Sequence, residues 1–304
     1  MGENELMIAT QNWIDAWLDD LKMRGAFDKT IEAYRRGLVR FMRWLFERGI
    51  AEPTSADIAL FRDDLKERYS AQTVNLSLSA LRSFYRYLLE NGAISYSPAM
   101  GIRGIRSGKR YHKRANLSDG EVRDVLETCD QSVQGIRDRA ILTLMAYCGL
   151  RTVEVHRANV EDLKTNGRLL LWVQGKGRAE PDDFVVIPVD QERVIRYWLA
   201  ERAKIAGEEK GALFLSLSRQ NKGERLSTRA IHDLVKNHYE QAGIHDPKKT
   251  AHSLRHSAIS NVITHGGTPM QAQAFARHKT FDTTLGYIHE VNRLAAPAED
   301  LISY

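Results

Sequence analysis

Apolar residues recur at helical spacing through most of the first hundred positions. Ile14, Trp17, Leu18 and Leu21 share one face, and Gly25-Ala-Phe-Asp28 interrupts them. A second run holds Ala33, Tyr34, Leu38, Phe41, Met42, Trp44 and Leu45 and ends near Gly49. Pro53-Thr-Ser-Ala-Asp57 is a helix-start pattern, with Thr54 or Ser55 as N-cap, and leads into Ile58–Tyr69. Ser70-Ala-Gln-Thr73 opens a fourth helix, carrying Leu76, Leu78, Leu81, Phe84, Tyr85 and Leu88 and stopped by Asn91-Gly92. Four helices joined by short turns predict a bundle whose aromatic stripes are core.

The pattern changes after residue 115. Leu117-Ser-Asp-Gly-Glu121 predicts a capped helix start, and Arg137–Tyr147 an apolar helix closed by Gly149. A further helix holding Glu154 follows. Arg168–Val173 and Phe184–Val189 are aliphatic runs of strand length around a Gly175-Lys176-Gly177 turn. Helices resume at Gln191–Ala203 and Ser227–Glu240, and Ala251–His289 reads mostly as helix. The predicted fold class is mainly α with a small antiparallel β-sheet, an α+β chain. Its expected divisions are a helical domain over 1–100, a linker over 101–115, a second domain over 116–290 and a tail over 291–304.

Charge sharpens this division. Residues 1–100 hold 13 Lys and Arg against 14 Asp and Glu, and residues 116–304 hold 25 of each. Residues 101–115 hold six cations (Arg103, Arg106, Lys109, Arg110, Lys113, Arg114) and no acid. A basic segment interleaved with Gly101, Gly104 and Gly108 suits a strap on a polyanion such as double-stranded DNA, and suits equally a solvated linker. No apolar run approaches the ~20 residues of a membrane-spanning helix, and the N-terminus lacks signal-peptide order. Cys129 and Cys148 alone form no disulfide framework, so a reducing, cytoplasmic setting is expected.

The densest chemistry lies in Ala251–His289, with five imidazoles (His252, His256, His265, His278, His289) near Arg255 and Tyr287. Earlier in the chain, Arg151 follows a helix-ending glycine at the mouth of the next helix, a good position for an anion. Guanidiniums hold two phosphate oxygens at once, imidazoles move protons near neutrality, and Lys176 can give one up. A tyrosine hydroxyl forms a phosphoester when its target's charge is stabilised and its leaving group is protonated. Together these groups can run phosphoryl transfer without a metal or other cofactor. No Asp/Glu cluster or HExxH pattern marks a metal site. Each residue alone is ordinary: an arginine after Gly-Leu is usually a cap, and a late tyrosine is usually packing. Their combination is not.

In Cys148-Gly-Leu-Arg151-Thr-Val-Glu154, Gly175-Lys176-Gly177, His252-Ser-Leu-Arg255-His256 and His278 followed by Tyr287 and His289, the chain resembles the tyrosine recombinases, which include phage-type integrases and Xer recombinases. Thr283-Thr284 fits as well. The resemblance implies a SAM-like core-binding domain and a catalytic domain closing as a clamp around DNA. It implies that Tyr287 attacks a scissile phosphate, leaving a 3′-phosphotyrosyl link and a free 5′-hydroxyl. Arg151 and Arg255 would hold the non-bridging oxygens, Lys176 would protonate the leaving oxygen, His252 would accept the tyrosine proton and His278 would bond the phosphate. Glu154 would orient Arg151. His256 and His265 are left as surface or packing residues, and His289 has no assigned step.

The implied assembly is a homotetramer on two DNA sites, a dimer on each, exchanging strands through a Holliday junction without ATP. The tail 291–304 would pack into a neighbouring protomer or fray. The expected activity is that of a Xer-like or mobile-element integrase or resolvase. A type IB topoisomerase and a non-catalytic DNA-binding protein of the same fold are the alternatives. One departure stands out: Arg277 occupies a position where the family usually has glycine.

Overall fold

The structure, a computed structural model, describes residues 3–106, 115–175, 180–206 and 210–295, with side chains from 11 to 288. Lys109, Arg110, Lys113, Arg114, Lys176, the His289 side chain and the tail from 296 onward lie outside the described residues. The chain divides into two compact units, Met1–Lys109 and Arg110–Tyr304.

The first unit is four helices, α1 (Glu3–Met23), α2 (Asp28–Arg48), α3 (Ser55–Arg68) and α4 (Ala71–Glu90). Their ends follow local chemistry. The Thr54 hydroxyl accepts from the Asp57 amide while Asp57 accepts from the Thr54 amide, and Ser70 caps α4 through Thr73. Gly49 takes left-handed φ 64° to close α2. Trp17, Leu38, Phe41, Ile58, Phe61, Val74, Leu78 and Leu81 form the core. At Gly37 the backbones of α2 and α4 approach so closely that a Cβ would lie 3.1 Å from the Ser77 Cα.

The start of the basic segment is not an open strap. Ile102 and Ile105 pack on the bundle, the Asn75 side chain bonds both the amide and the carbonyl of Ile105, and Arg82 donates to the Ile102 carbonyl at 2.6 Å. The apolar residues that alternate with the cations turn inward, which leaves Arg103 and Arg106 exposed.

The second unit contains α5 (Asp119–Glu127), α6 (Val133–Tyr147), α7 (Thr152–Arg157), the strands β1 (Leu163–Asn166), β2 (Arg168–Val173) and β3 (Asp183–Val186), then α8 (Val189–Ala206), α9 (Thr228–Gln241), α10 (Ala251–Thr264), α11 (Pro269–Ala276) and α12 (Phe281–Ala295). The sheet is antiparallel in the order β1-β2-β3. Strand β1 escaped the pattern because Leu-Lys-Thr-Asn carries almost no apolar signal; it is held by the tight Asn166-Gly167 turn. The expected strand over Phe184–Val189 is shorter, because Pro188 has no amide to continue the ladder and Val189 already begins α8. Helix α6 starts before Arg137, capped by the Ser132 hydroxyl on the Gly135 amide. It is buried nearly all round and forms the spine of this unit, with Ile141, Leu142, Leu144 and Met145 inaccessible. The segment after the basic link is fastened to α10: the Leu117 amide donates to Ser257 at 2.7 Å and the Asn116 side chain to Ser260 at 3.0 Å.

Candidate active site

Helices α6, α7, α10, α11 and α12 bring together the sequence-predicted groups Arg151, Glu154, His252, Arg255, His278 and Tyr287. Helix α6 ends at Gly149, whose φ of 60° lets the chain reverse. The next residues place Arg151 at the mouth of α7. Glu154, at the third position of α7, accepts the Arg151 amide at 2.8 Å and its guanidinium at 2.7 Å. The Glu154 side chain is 1% exposed, against 29% for Arg151. The carboxylate is therefore the buried anchor, and Arg151 is the cation that faces outward.

On α10, residues 252, 255, 256 and 259 fall on one stripe. Arg255 is 1% exposed and donates to the carbonyls of Gly149 and Ala276. Burial pushes its guanidinium pKa down, Arg151 and Arg277 add to the push, and Glu154 opposes it. An arginine so placed still keeps its charge at neutral pH.

His278 follows α11 directly. Gln273 fixes its backbone, accepting the His278 amide at 3.2 Å and donating to its carbonyl at 3.2 Å. Its Nδ1 lies 2.9 Å from the hydroxyl of the fully buried Thr284, so the late Thr-Thr pair orients this imidazole. Tyr287, one helical turn further along α12, is 3% exposed. Its ring stacks between His256 and His278, with centroid distances of 5.2 and 5.9 Å.

Two residues change standing here. His256 was expected to be a surface or packing residue, yet it is 5% exposed and its Nδ1 bonds the Tyr287 hydroxyl. It lies one turn beyond His252 on the same face, and the two rings meet edge to face at 4.6 Å. The four-residue spacing was the available signal. His265, in contrast, is exposed and bonds back to its own helix at Asn261.

The other is Arg277. Its backbone closes α11 at φ 51°, making it the one non-glycine residue with positive φ among the described residues. That conformation explains why glycine suits the position: a side chain there costs about 1 kcal/mol or more. Here the side chain turns inward, 6% exposed, and its Nη2 lies 2.7 Å from the second oxygen of Glu154. The same guanidinium donates to the carbonyls of Phe275 at 3.2 Å and Gly149 at 3.3 Å.

One carboxylate thus faces three guanidiniums. Burial alone would raise the Glu154 pKa, but Arg277, then Arg151, hold it below the ordinary carboxylate value. The remaining excess positive charge, beside two imidazoles and a phenol, can hold a phosphodiester and stabilise charge gained as its phosphorus is attacked. Lys176 lies outside the described residues; the carbonyl of Gly175 before it accepts from Arg157 of α7 at 3.1 Å. Among the described residues, no cluster of His, Cys, Asp or Glu has the geometry to hold a metal ion, and no helix is long and apolar enough to cross a membrane.

Residues 115–293 match the phage integrase family, and residues 14–92 match the phage integrase N-terminal SAM-like domain. The chain is 31% identical to the tyrosine recombinase XerD of Pseudomonas putida over 286 residues, covering 91% of this chain and 92% of that one. It is 30% identical to the tyrosine recombinase XerC of Serratia marcescens, over 92% of this chain and 90% of that one. Among solved structures, its fold is similar to the XerH site-specific recombinase bound to a palindromic difH substrate after cleavage, with TM-score 0.75, 19% identity, and coverage of 96% and 89% of the two chains. It is also similar to the lambda integrase tetramer bound to a Holliday junction, with TM-score 0.64, 20% identity, and coverage of 89% and 77%.

Proposed function

The chain belongs to the phage integrase family of tyrosine recombinases, and from that premise we propose that it breaks and rejoins DNA at specific paired sites through Tyr287. It is a site-specific DNA recombinase, acting in the cytoplasm where such DNA lies. The observation that carries the role of Tyr287 is its hydroxyl, bonded to an imidazole beside a group of arginines that shares a single carboxylate.

In this reading the Tyr287 oxygen attacks the scissile phosphorus, the bond from phosphorus to the 5′-oxygen breaks, and a 3′-phosphotyrosyl bond forms. Arg151 and Arg255 hold the non-bridging oxygens with paired N–H donors, and His278, oriented by Thr284, bonds the same phosphate. The tyrosine proton passes to an imidazole of α10, with His256 in contact and His252 next to it. The leaving 5′-oxygen takes its proton from Lys176. Rejoining is the reverse step with a new 5′-hydroxyl; because the phosphoester bond is conserved, no ATP is needed.

XerH and lambda integrase are seen on DNA, the latter as a tetramer on a Holliday junction. We propose the same assembly for this chain: a dimer on each of two duplex sites, four protomers in the synapse. Arg103 and Arg106, exposed on the first unit, and Lys109, Arg110, Lys113 and Arg114 would contact phosphates along the duplex.

A suicide duplex nicked near the cleavage position tests the reading. The wild type should accumulate a covalent adduct that survives denaturation, and Tyr287→Phe should form none while binding DNA within a few-fold of wild type. An adduct undiminished in Tyr287→Phe would place the nucleophile elsewhere.

A further inference from the structure

Arg277 stands out because its backbone and its side chain pull in opposite directions. The backbone closes α11 in the left-handed region, which disfavours any side chain. A residue retained there for helix ending alone would be glycine or asparagine. Yet the side chain is not discarded into solvent. It is buried, spans from the Phe275 carbonyl to the Cys148-Gly149 turn, and ends on Glu154. Its Nε is buried with no partner among the described residues, so the guanidinium is held for what its two Nη atoms reach.

Those atoms reach the groups that set Arg151 and Arg255. Glu154 Oε1 takes the Arg151 guanidinium, and Oε2 takes the Arg151 amide and Arg277. The Gly149 carbonyl takes both Arg255 and Arg277. We infer that Arg277 is a positioning residue for strand cleavage: it occupies the inner oxygen of Glu154, so that Arg151 binds this carboxylate by one edge and presents the rest of its guanidinium to the DNA phosphate. Without Arg277 the buried carboxylate has lost its nearest inner cation. Among the described residues, Arg151 and Arg255 are then left to neutralise it, and both are drawn inward from the phosphate. The electrostatics run the same way, because Arg277 is the strongest influence opposing burial on Glu154.

This inference rests on the proposed roles of Arg151, Arg255 and Tyr287, and the test separates the two. Arg277→Met and Arg277→Lys share the left-handed backbone and differ in charge, whereas Arg277→Gly relaxes the backbone and removes the side chain. Each would be assayed for single-turnover adduct formation on the nicked duplex from pH 5 to 8, with DNA affinity measured in a Tyr287→Phe background. Arg277→Met and Arg277→Gly should cleave at least ~10-fold more slowly with affinity changed less than ~3-fold, and their acid limb should move to higher pH as Glu154 protonates more readily. Arg277→Lys should restore the acid limb at least in part. Should Arg277→Met fail to fold, the same comparison is carried by Arg277→Gly, whose backbone is unstrained.

Cleavage at wild-type rate with an unmoved acid limb in Arg277→Gly would overturn the inference. So would equal losses in the Lys and Met variants with no change in pH profile, because that is the signature of a backbone effect alone. A wild type that forms no Tyr287-dependent adduct would instead overturn the underlying reading of the site.

Discussion

The Tyr287 hydroxyl is bonded to Nδ1 of His256, not merely near the histidine-rich helix that carries it. The rings stack at an interplanar angle of 29°, and both residues are buried. An imidazole already in contact with the phenol is placed to take its proton, and general-base help of this kind contributes about 100-fold or more. His256→Ala should therefore slow single-turnover adduct formation by about 100-fold. Running His252→Ala beside it settles the division of labour. Wild-type cleavage by His256→Ala, with a loss confined to His252→Ala, would reduce the contact to a resting arrangement abandoned before attack.

Glu154 is the pivot of the arginine group, and its pKa sets a direct expectation for stability. Burial raises that pKa, Arg277 and Arg151 lower it more, and the net result is a carboxyl below its ordinary value. A group depressed in the folded state contributes stability that is present above its unfolded pKa and lost as pH falls through the folded one. Urea unfolding from pH 3 to 6 should show this loss in the wild type. Glu154→Gln should be flatter over that window and less stable at pH 7 by about 3 kcal/mol, because it leaves buried guanidiniums without their counter-charge. Equal stability of the two proteins at pH 7 would contradict this.

Much of this is legible in the amino-acid sequence. The apolar stripes of α2 and α4, the caps at Thr54, Ser70 and Ser118, and the glycine stops at Gly49 and Gly149 are local signals, and the chain obeys them. Arg151, Glu154, Arg255, His278 and Tyr287 meet because each sits at a helix end or on an inward face set by that pattern. What escaped depends on tertiary contact. Strand β1 is defined by its partner and not by its own composition. His256 gains its role only when α12 lays Tyr287 against it. Arg277 stands out in the sequence only as an arginine where glycine is usual, and what it does there needs its positive φ and inward side chain. The inward turn of Ile102 and Ile105 likewise needs the surface of α4, which charge counting cannot supply.

A second buried charge cluster lies in the α5–α6–α9 region and shares no residue with the arginine group. His238 sits 3.4 Å from Asp138, which also pairs with the buried Arg137. Burial opposes a charge on His238, but Asp138 and the Cys129 sulfur outweigh it and raise the pKa from 6.5 to about 9. A raised histidine contributes stability that is full below its unfolded pKa and lost as pH rises through the folded value. The wild type should therefore lose on the order of 2 kcal/mol between pH 6.5 and 9. His238→Gln should lose much less over the same range, with cleavage on the nicked duplex little altered at pH 7. Parallel stability curves for the two proteins would show that His238 is neutral in the fold.

Gly149 joins backbone geometry to the site most tightly. Its φ of 60° is costly for any residue with a Cβ, and a Cβ there would lie 3.0 Å from the Phe275 ring. Its carbonyl receives both Arg255 and Arg277, so a small rotation of this one peptide displaces two guanidiniums. Gly149→Ala should destabilise the protein by about 1–2 kcal/mol, the cost of the left-handed conformation, measured by urea unfolding. Cleavage should fall further than that loss explains, because the protein remains mostly folded at this deficit while Arg255 is misdirected. The discriminating measurement is the single-turnover rate at a denaturant-free pH 7. A Gly149→Ala protein that is destabilised yet cleaves at the wild-type rate would show that the turn serves folding and leaves the phosphate site untouched.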